Sequence, residues 1–164
     1  MMEQNMFCFQ CEQTAGCSGC KGNAGVCGKT AEVARLQDEL TGALIGLARA
    51  VEGKRPEHIT ALNKLVREGL FATLTNVNFD EASILELTAR VEQKKQEFCG
   101  AENYDMQELW GADEDIRSLK SLILFGIRGV AAYAYHAAVL GHYDTTVNAF
   151  LYKALRVVGS DWGM

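Results

Sequence analysis

The stretch TAEVARLQDELTGALIGLARAVEG, residues 30–53, decides the fold class of this chain. Its apolar residues recur at three- and four-residue spacing, which is the period of an α-helix with one buried face. Thr30 is placed to cap this helix through its hydroxyl, with Glu32 in the first turn, and Gly53 marks the end. The buried stripe of the predicted helix consists of Val33, Leu36, Leu40, Leu44 and Leu47.

The same helical period continues through the rest of the chain, which contains a single proline. Pro56 is expected to open a second helix, because a missing N–H costs nothing in a first turn. Asp80 is expected to cap a third helix that ends near Phe98. Residues 100–113 lack a long period and predict a loop or a short helix. Two further helices complete the prediction, over residues 114–140 and 145–158.

No strand pattern competes with these helices, so the predicted fold is all-α, an antiparallel bundle of about five helices. We expect this bundle over residues 30–164 and a cysteine-rich segment over residues 1–29, packed together as one domain. Glycines inside helices lower their stability. The glycines of TGALIGLARA (41–50) and LFGIRGVAAYA (124–134) therefore predict that these two segments form a closely packed central pair.

Composition narrows the possible partners and location of the protein. A formal net charge of −5 argues against a nucleic-acid surface, which normally needs a basic patch. The first residues contain neither the basic nor the apolar part of a secretory signal. The apolar stretch at 122–141 contains Arg128 and His136, which favours a buried helix over a membrane span. We therefore expect a cytoplasmic protein that binds neither nucleic acid nor membrane.

Five of the six cysteines fall within FCFQCEQTAGCSGCKGNAGVCGK, residues 7–29. The cytosol keeps thiols reduced, so these cysteines are expected to be metal ligands or redox thiols rather than disulfides. A thioredoxin-like dithiol is disfavoured because no strand is predicted before the motif. Four thiolates suit zinc or an iron–sulfur cluster, and the spacing alone leaves both open. The intervening glycines favour a cluster, because they let the backbone approach sulfur closely.

The stretch MFCFQCEQTAGCSGCKGNAGVCGK (6–29) resembles the amino-terminal signature of the hybrid cluster proteins, also called prismane proteins or hydroxylamine reductases. The resemblance continues in order through LQDELTGALIGLAR (36–49), GLFATLTNVNFD (69–80) and EDIRSLKSLILFGIRGVAAYAYHAAVLG (114–141). It implies an iron–sulfur cluster, a cubane [4Fe–4S] in most members and [2Fe–2S] in a subgroup. That cluster would pass electrons to a hybrid cluster in later domains, where hydroxylamine or nitric oxide is reduced.

Carried over to this sequence, the resemblance implies a [4Fe–4S] cluster held by four cysteines: Cys8, Cys11, Cys20 and Cys27. Cys17 is an additional thiol that is weighed as a substitute for Cys20. The implied partners are the remaining domains of a longer parent protein and an external electron donor, and a homodimer is a further expectation. No catalytic residue is expected, because only Cys99 follows Cys27 and the hybrid cluster needs later domains. The parent family consists of oxidoreductases, whereas this chain alone is not expected to be catalytically competent.

Two other functions stay open. A structural zinc-binding helical interaction module would bind one zinc per chain and have no redox activity. A relative of carbon monoxide dehydrogenase, whose helical amino-terminal part is similar to this family, would carry a cluster that bridges subunits. Cys99 is expected to be an inert thiol near the end of the third helix.

Overall fold

The computed structural model describes residues 6–54, 56–98 and 101–162, without the side chains of 56–59. Each predicted helix is present within a few residues of its expected ends, and the all-α prediction is confirmed. Cys99, the expected inert thiol, lies outside the described residues. In the described part six α-helices carry the fold: α1 (Ala31–Ala50), α2 (Pro56–Ala72), α3 (Glu81–Gln96), α4 (Met106–Trp110), α5 (Glu114–Val139) and α6 (Thr145–Gly159).

Side-chain caps begin these helices. The Thr30 hydroxyl accepts a hydrogen bond from the Val33 N–H at 3.1 Å, as the sequence predicted. Each cap satisfies one of the N–H groups that a first helical turn leaves without a partner. Carboxylates do the same at four later helix starts: Asp80, Asp105, Asp113 and Asp144.

Helix α1 lies at the centre of the core, and every residue from 40 to 48 is buried. It packs chiefly against α3 and α6 and also contacts α2, α4 and the first strand, while α5 packs against α2 and α6. Leu44 of α1 fits closely against Gly69 of α2, where an added Cβ would lie 2.9 Å from the leucine side chain. A helix surrounded on all sides explains why α1 is apolar over more than one stripe.

The predicted close pairing of 41–50 with 124–134 is wrong. An added Cβ at Gly42 would overlap the carbonyl oxygen of Tyr104, and one at Gly46 would lie 2.9 Å from the carbonyl oxygen of Glu102. The glycines of α1 therefore make room for the chain segment that precedes α4, not for another helix. Within the described part, an added Cβ at Gly126 or Gly129 of α5 would meet no heavy atom within 4 Å.

Helix α5 has one packed face and one exposed apolar face. Leu124 and Ile127 are buried on the packed face. By length and composition α5 is the one helix of the described part that would be able to cross a membrane, and 22% of its apolar window is buried. The expectation of a buried helix is therefore met on one face only. Apolar side chains of the other face are exposed: Leu119, Leu122, Phe125, Val130 and Tyr133.

The cysteine-rich segment contains a small sheet that the sequence did not predict. Strand β1 (Met6–Cys8) pairs antiparallel with β2 (Cys20–Gly22), and a 3₁₀ segment at Glu12–Cys17 lies in the connection. Strands of three residues are too short to show the alternating pattern by which strands are recognised. Phe9 is buried in the common core, so the segment is attached to the helical part by apolar packing.

Candidate functional site

Pairing of the two strands brings Cys8 and Cys20 together. The antiparallel register places these residues directly opposite each other. Side chains of directly opposed residues lie on the same face of a sheet, with their Cβ atoms about 4.5–5.5 Å apart. Both cysteines are half-buried and neither forms a disulfide. The sheet therefore aims two thiols, distant in sequence, at one region.

Turns place Cys11 and Cys27 beside this pair. The carbonyl of Cys11 accepts the Thr14 N–H at 2.9 Å, which starts the 3₁₀ segment. Cys27 lies in a tight turn closed by the Gly28 N–H, which donates to the Gly25 carbonyl at 2.9 Å. Cys27 is exposed, whereas Cys11 is half-buried.

The four thiols line one cavity of about 120 Å³. Among the described residues, no group of three or more His, Cys, Asp and Glu side chains is arranged for a single metal ion. Soft thiolate donors around a small cavity are chemically suited to an iron–sulfur cluster. The wall between the cysteines includes Met6, Gln10, Lys29, Thr75 and Asn76.

Cys17 lies apart from the other four cysteines. It is absent from the described lining of the thiol cavity. Its Sγ lies 4.0 Å from the hydroxyl oxygen of Ser118 on α5. Its backbone has a φ of 55°, a left-handed conformation that non-glycine residues seldom adopt. The geometry thus separates the expected substitute ligand from the expected ligand set, and the ligand assignment itself stays a prediction.

Gly19 allows the two strands to approach. Its φ is +66°, and an added Cβ would lie 2.8 Å from the Cys8 carbonyl oxygen and 3.2 Å from the Phe9 ring. Glycine alone combines this backbone conformation with the missing side chain. The glycine content of the segment therefore has a steric reason at this position, next to Cys20.

Lys29 is the residue of the site that sequence reasoning missed. Its side chain is 1% exposed. The Nζ donates to Gln37 Oε1 at 2.7 Å, to Gln10 Oε1 at 3.3 Å and to Cys8 Sγ at 3.8 Å. Burial raises the pKa of the Cys8 thiol, and the Lys29 charge opposes that rise. The one sequence signal for Lys29 is its position two residues after Cys27. A lysine at such a position is normally expected to be exposed.

A second buried cation, Arg128 of α5, lies in the same part of the core. It is 4% exposed and donates to the hydroxyl oxygens of Thr73 at 3.0 Å and Thr41 at 3.1 Å. Burial lowers the pKa of Arg128 to about 10, while the charges of Asp38 and Cys8 oppose that change. Cys8 therefore interacts with two buried cations, Lys29 and Arg128.

Asp38 connects this polar region to the aromatic side chains around the cysteine segment. The indole N–H of Trp110 donates to its carboxylate at 2.8 Å, and the Phe7 ring packs edge-on against Trp110 at 5.2 Å. Burial raises the pKa of Asp38 to about 7, although the Trp110 hydrogen bond and the charges of Arg128 and Lys29 act in the other direction. The carboxylate thus titrates near neutral pH.

Two larger cavities are lined chiefly by other parts of the chain, although Met6 lines both the first of them and the thiol cavity. One, of about 620 Å³, has walls from α1, α3 and residues 103–107 and includes Asp38 and Glu92. Another, of about 390 Å³ between α2, α5 and α6, includes Arg67, whose Nε has no hydrogen-bond partner. Neither contains a cysteine, so the thiol cavity remains the candidate site for redox chemistry.

Comparison with known proteins agrees with the order of motifs along the chain. The model of the Prismane/CO dehydrogenase family matches residues 6–163. A hydroxylamine reductase of Maridesulfovibrio salexigens is 38% identical over 97% of this chain and 34% of its own length. The hydroxylamine reductase of Syntrophobacter fumaroxidans is 42% identical over 92% of this chain and 33% of its own length. The chain thus spans about a third of the length of these relatives. It belongs to the Prismane/CO dehydrogenase family.

Proposed function

We propose that this chain holds a [4Fe–4S] cluster and acts as the electron-transfer part of a hydroxylamine reductase. The observation that carries the proposal is the single cavity lined by the four cysteines. When bound, such a cluster supplies one-electron redox chemistry. The proposed ligands are Cys8, Cys11, Cys20 and Cys27.

The chain's own residues would make this site work in three ways. Lys29 places a positive charge beside Cys8 and favours its thiolate, which is the form that binds metal. Met6, which is buried, covers part of the cavity wall and limits access of water. Cys27 is exposed while the other three thiols are half-buried, so an external electron donor would approach from the side of Cys27.

A structural zinc site is the alternative for the same thiols. Zinc–sulfur bonds of about 2.3 Å bring four sulfurs to within about 4 Å of one another. Membership of the Prismane/CO dehydrogenase family favours the cluster over the single ion. The two metals also differ in colour and redox activity, so one preparation distinguishes them.

The reduction of hydroxylamine is a proposal for the longer protein. The relatives named hydroxylamine reductase are about three times as long as this chain, which covers 34% of one of them. We propose that the substrate-reducing hybrid cluster is bound by polypeptide outside this chain, and that this chain delivers electrons to it. Nitric oxide is a second substrate that such a centre would reduce. The iron-loaded, reduced chain is accordingly expected not to consume hydroxylamine by itself.

Anaerobic purification followed by iron, sulfide and zinc analysis tests the cluster. We expect about four irons and four sulfides per chain. The brown absorption should bleach on addition of dithionite and return on oxidation. Stoichiometric zinc in a colourless protein would refute the cluster, and hydroxylamine consumption by the isolated chain would refute the division of labour.

A further inference from the structure

Lys29 is a buried cation whose hydrogen-bond partners on nitrogen are neutral. Its Nζ donates to two amide oxygens, those of Gln37 and Gln10. Among the described residues, no carboxylate lies within 4.0 Å of this nitrogen. An ion held out of water without a counter-charge is unfavourable by several kcal/mol, so buried lysines normally have an anionic partner. Two further groups lie near this nitrogen: the sulfur of Cys8, 3.8 Å away, and the Phe79 ring, whose centroid is 5.8 Å away.

Arg128 adds a second buried positive charge to this region. It too is buried, and its described hydrogen-bond partners, the hydroxyls of Thr41 and Thr73, are neutral. Thr41 in turn donates to the carbonyl of Gln37, the residue whose side chain holds Lys29. Both cations thus belong to one polar network; Lys29 lines the thiol cavity, and the charge of Arg128 acts on Cys8. One acid, Asp38, lies close enough for its charge to act on both Arg128 and Lys29, and burial raises the pKa of its carboxyl group.

We propose that Lys29 is the counter-charge of the metal cluster and raises its reduction potential. This inference rests on the proposed function, because it requires the cluster at the four cysteines. A positive charge fixed beside a cluster thiolate stabilises the more negative, reduced state more than the oxidised state. The low dielectric of the buried site strengthens that preference. Arg128 adds to the same positive field from α5.

A purely structural role for Lys29 predicts something different. The side chain joins Gln10 of the cysteine segment to Gln37 of α1, and such a link would affect stability without moving a redox equilibrium. The reduction potential therefore separates the two roles. Lys21 supplies a matched control: it is adjacent to Cys20 but exposed, where solvent and salt screen its charge.

The experiment is a potentiometric titration of the iron-loaded chain, comparing the parent with K29M, K29R and K21M. At a fixed ambient potential, K29M should decrease the ratio of reduced to oxidised cluster by about tenfold or more, which is 59 mV for a one-electron couple. K29R, which keeps the charge, should restore most of that ratio, and K21M should leave it unchanged. An iron-loaded K29M with the parent's potential would overturn the inference.

If K29M binds no cluster at all, its potential is not measurable. In that case the iron contents of a second neutral variant, K29Q, and of K29R decide the question. If both neutral variants lack iron while K29R retains it at the parent's potential, the positive charge is required to hold the cluster, which supports Lys29 as its counter-charge. If K29R also lacks iron, the size of the side chain and not its charge is decisive, and the inference falls. A parent chain without iron would refute the proposed function itself, which keeps the two failures distinguishable.

Discussion

The cysteine segment, residues 6–29, and the helical bundle, residues 30–162, are stabilised in different ways. In the bundle, leucines such as Leu40 and Leu44 are fully buried among helices. In the segment, buried apolar anchors are few, Met6 and Phe9 among them, and short turns connect the cysteines. The difference teaches that burial of apolar surface determines the bundle, whereas the segment is shaped around a cavity. Changes in each region should therefore affect different measurements.

The largest effect is expected from removing a proposed ligand. C8S and C20S should lose almost all bound iron after anaerobic reconstitution, because a cluster needs each of its thiolates. The unfolding of their iron-free forms should match that of the iron-free parent. C17S is the matched control, since its sulfur lies beside Ser118 and not in the cavity, and it should keep its iron. Iron loss in C17S combined with retention in C20S would reverse the ligand assignment.

Truncating a buried leucine of the bundle is expected to lower stability and to leave iron binding unchanged. L44A removes a fully buried side chain that fits against Gly69 and should lower the free energy of unfolding by about 2–5 kcal/mol. Denaturant titration of the iron-free chain measures this change. Leu122 on the exposed face of α5 is the control, and L122A should change stability by less than about 0.5 kcal/mol. A change in iron content per folded L44A chain would show that the two regions are more strongly coupled.

The connection between the regions is tested at Gly19. G19A places a Cβ 2.8 Å from the Cys8 carbonyl and should disturb the pairing of the two strands. We expect G19A to lower iron affinity further than G16A does, because a steric overlap adds to a similar backbone strain, with little change in the unfolding of the bundle. Gly16 is the control, because its φ of +64° is similar but an added Cβ would meet no atom within 4 Å. G16A should therefore weaken iron binding only by its backbone strain, about 1–2 kcal/mol. Equal losses of iron affinity in the two variants would exclude the steric explanation.

A change in pH dependence is expected from Asp38, which lies where the two regions meet. Burial raises its pKa from 3.8 to about 7, so the folded chain keeps a proton that the unfolded chain releases. Stability should consequently fall as the pH rises from about 4 to about 7. D38N removes this titration and should flatten the stability of the iron-free chain over that window. The same slope in D38N and the parent, measured by denaturant titration, would contradict this assignment.

The helices of the bundle were largely predictable because neighbouring residues determine where a helix begins and which face it buries. Thr30 and Pro56 begin helices where their chemistry requires it, and the apolar period of 30–53 marks a helix directly. The partner of each helix was not predictable in this way. The glycines at Gly42 and Gly46 indicated close packing, but the neighbour turned out to be the segment around Tyr104, since any backbone satisfies the same steric need.

The site was predictable in composition and not in its surroundings. Cysteine density indicated a soft metal or cluster, whereas the β1–β2 pairing of Cys8 with Cys20 was not visible in strands of three residues. Lys29 was missed for a similar reason. Whether a lysine is at the surface or buried next to a thiol depends on what packs over it, and here that is decided by residues distant in the sequence such as Phe79.

The sequence by itself determined the helices, their capping residues and the concentration of thiols at residues 8–27, because helical period and metal-ligand chemistry are properties of neighbouring residues. Only the tertiary structure decided that α1 is the central helix, that Cys17 lies outside the cavity lined by the other four cysteines, and that the buried Lys29 lines that cavity. These outcomes depend on contacts between distant segments. Patterns within short stretches of the sequence therefore do not predict them.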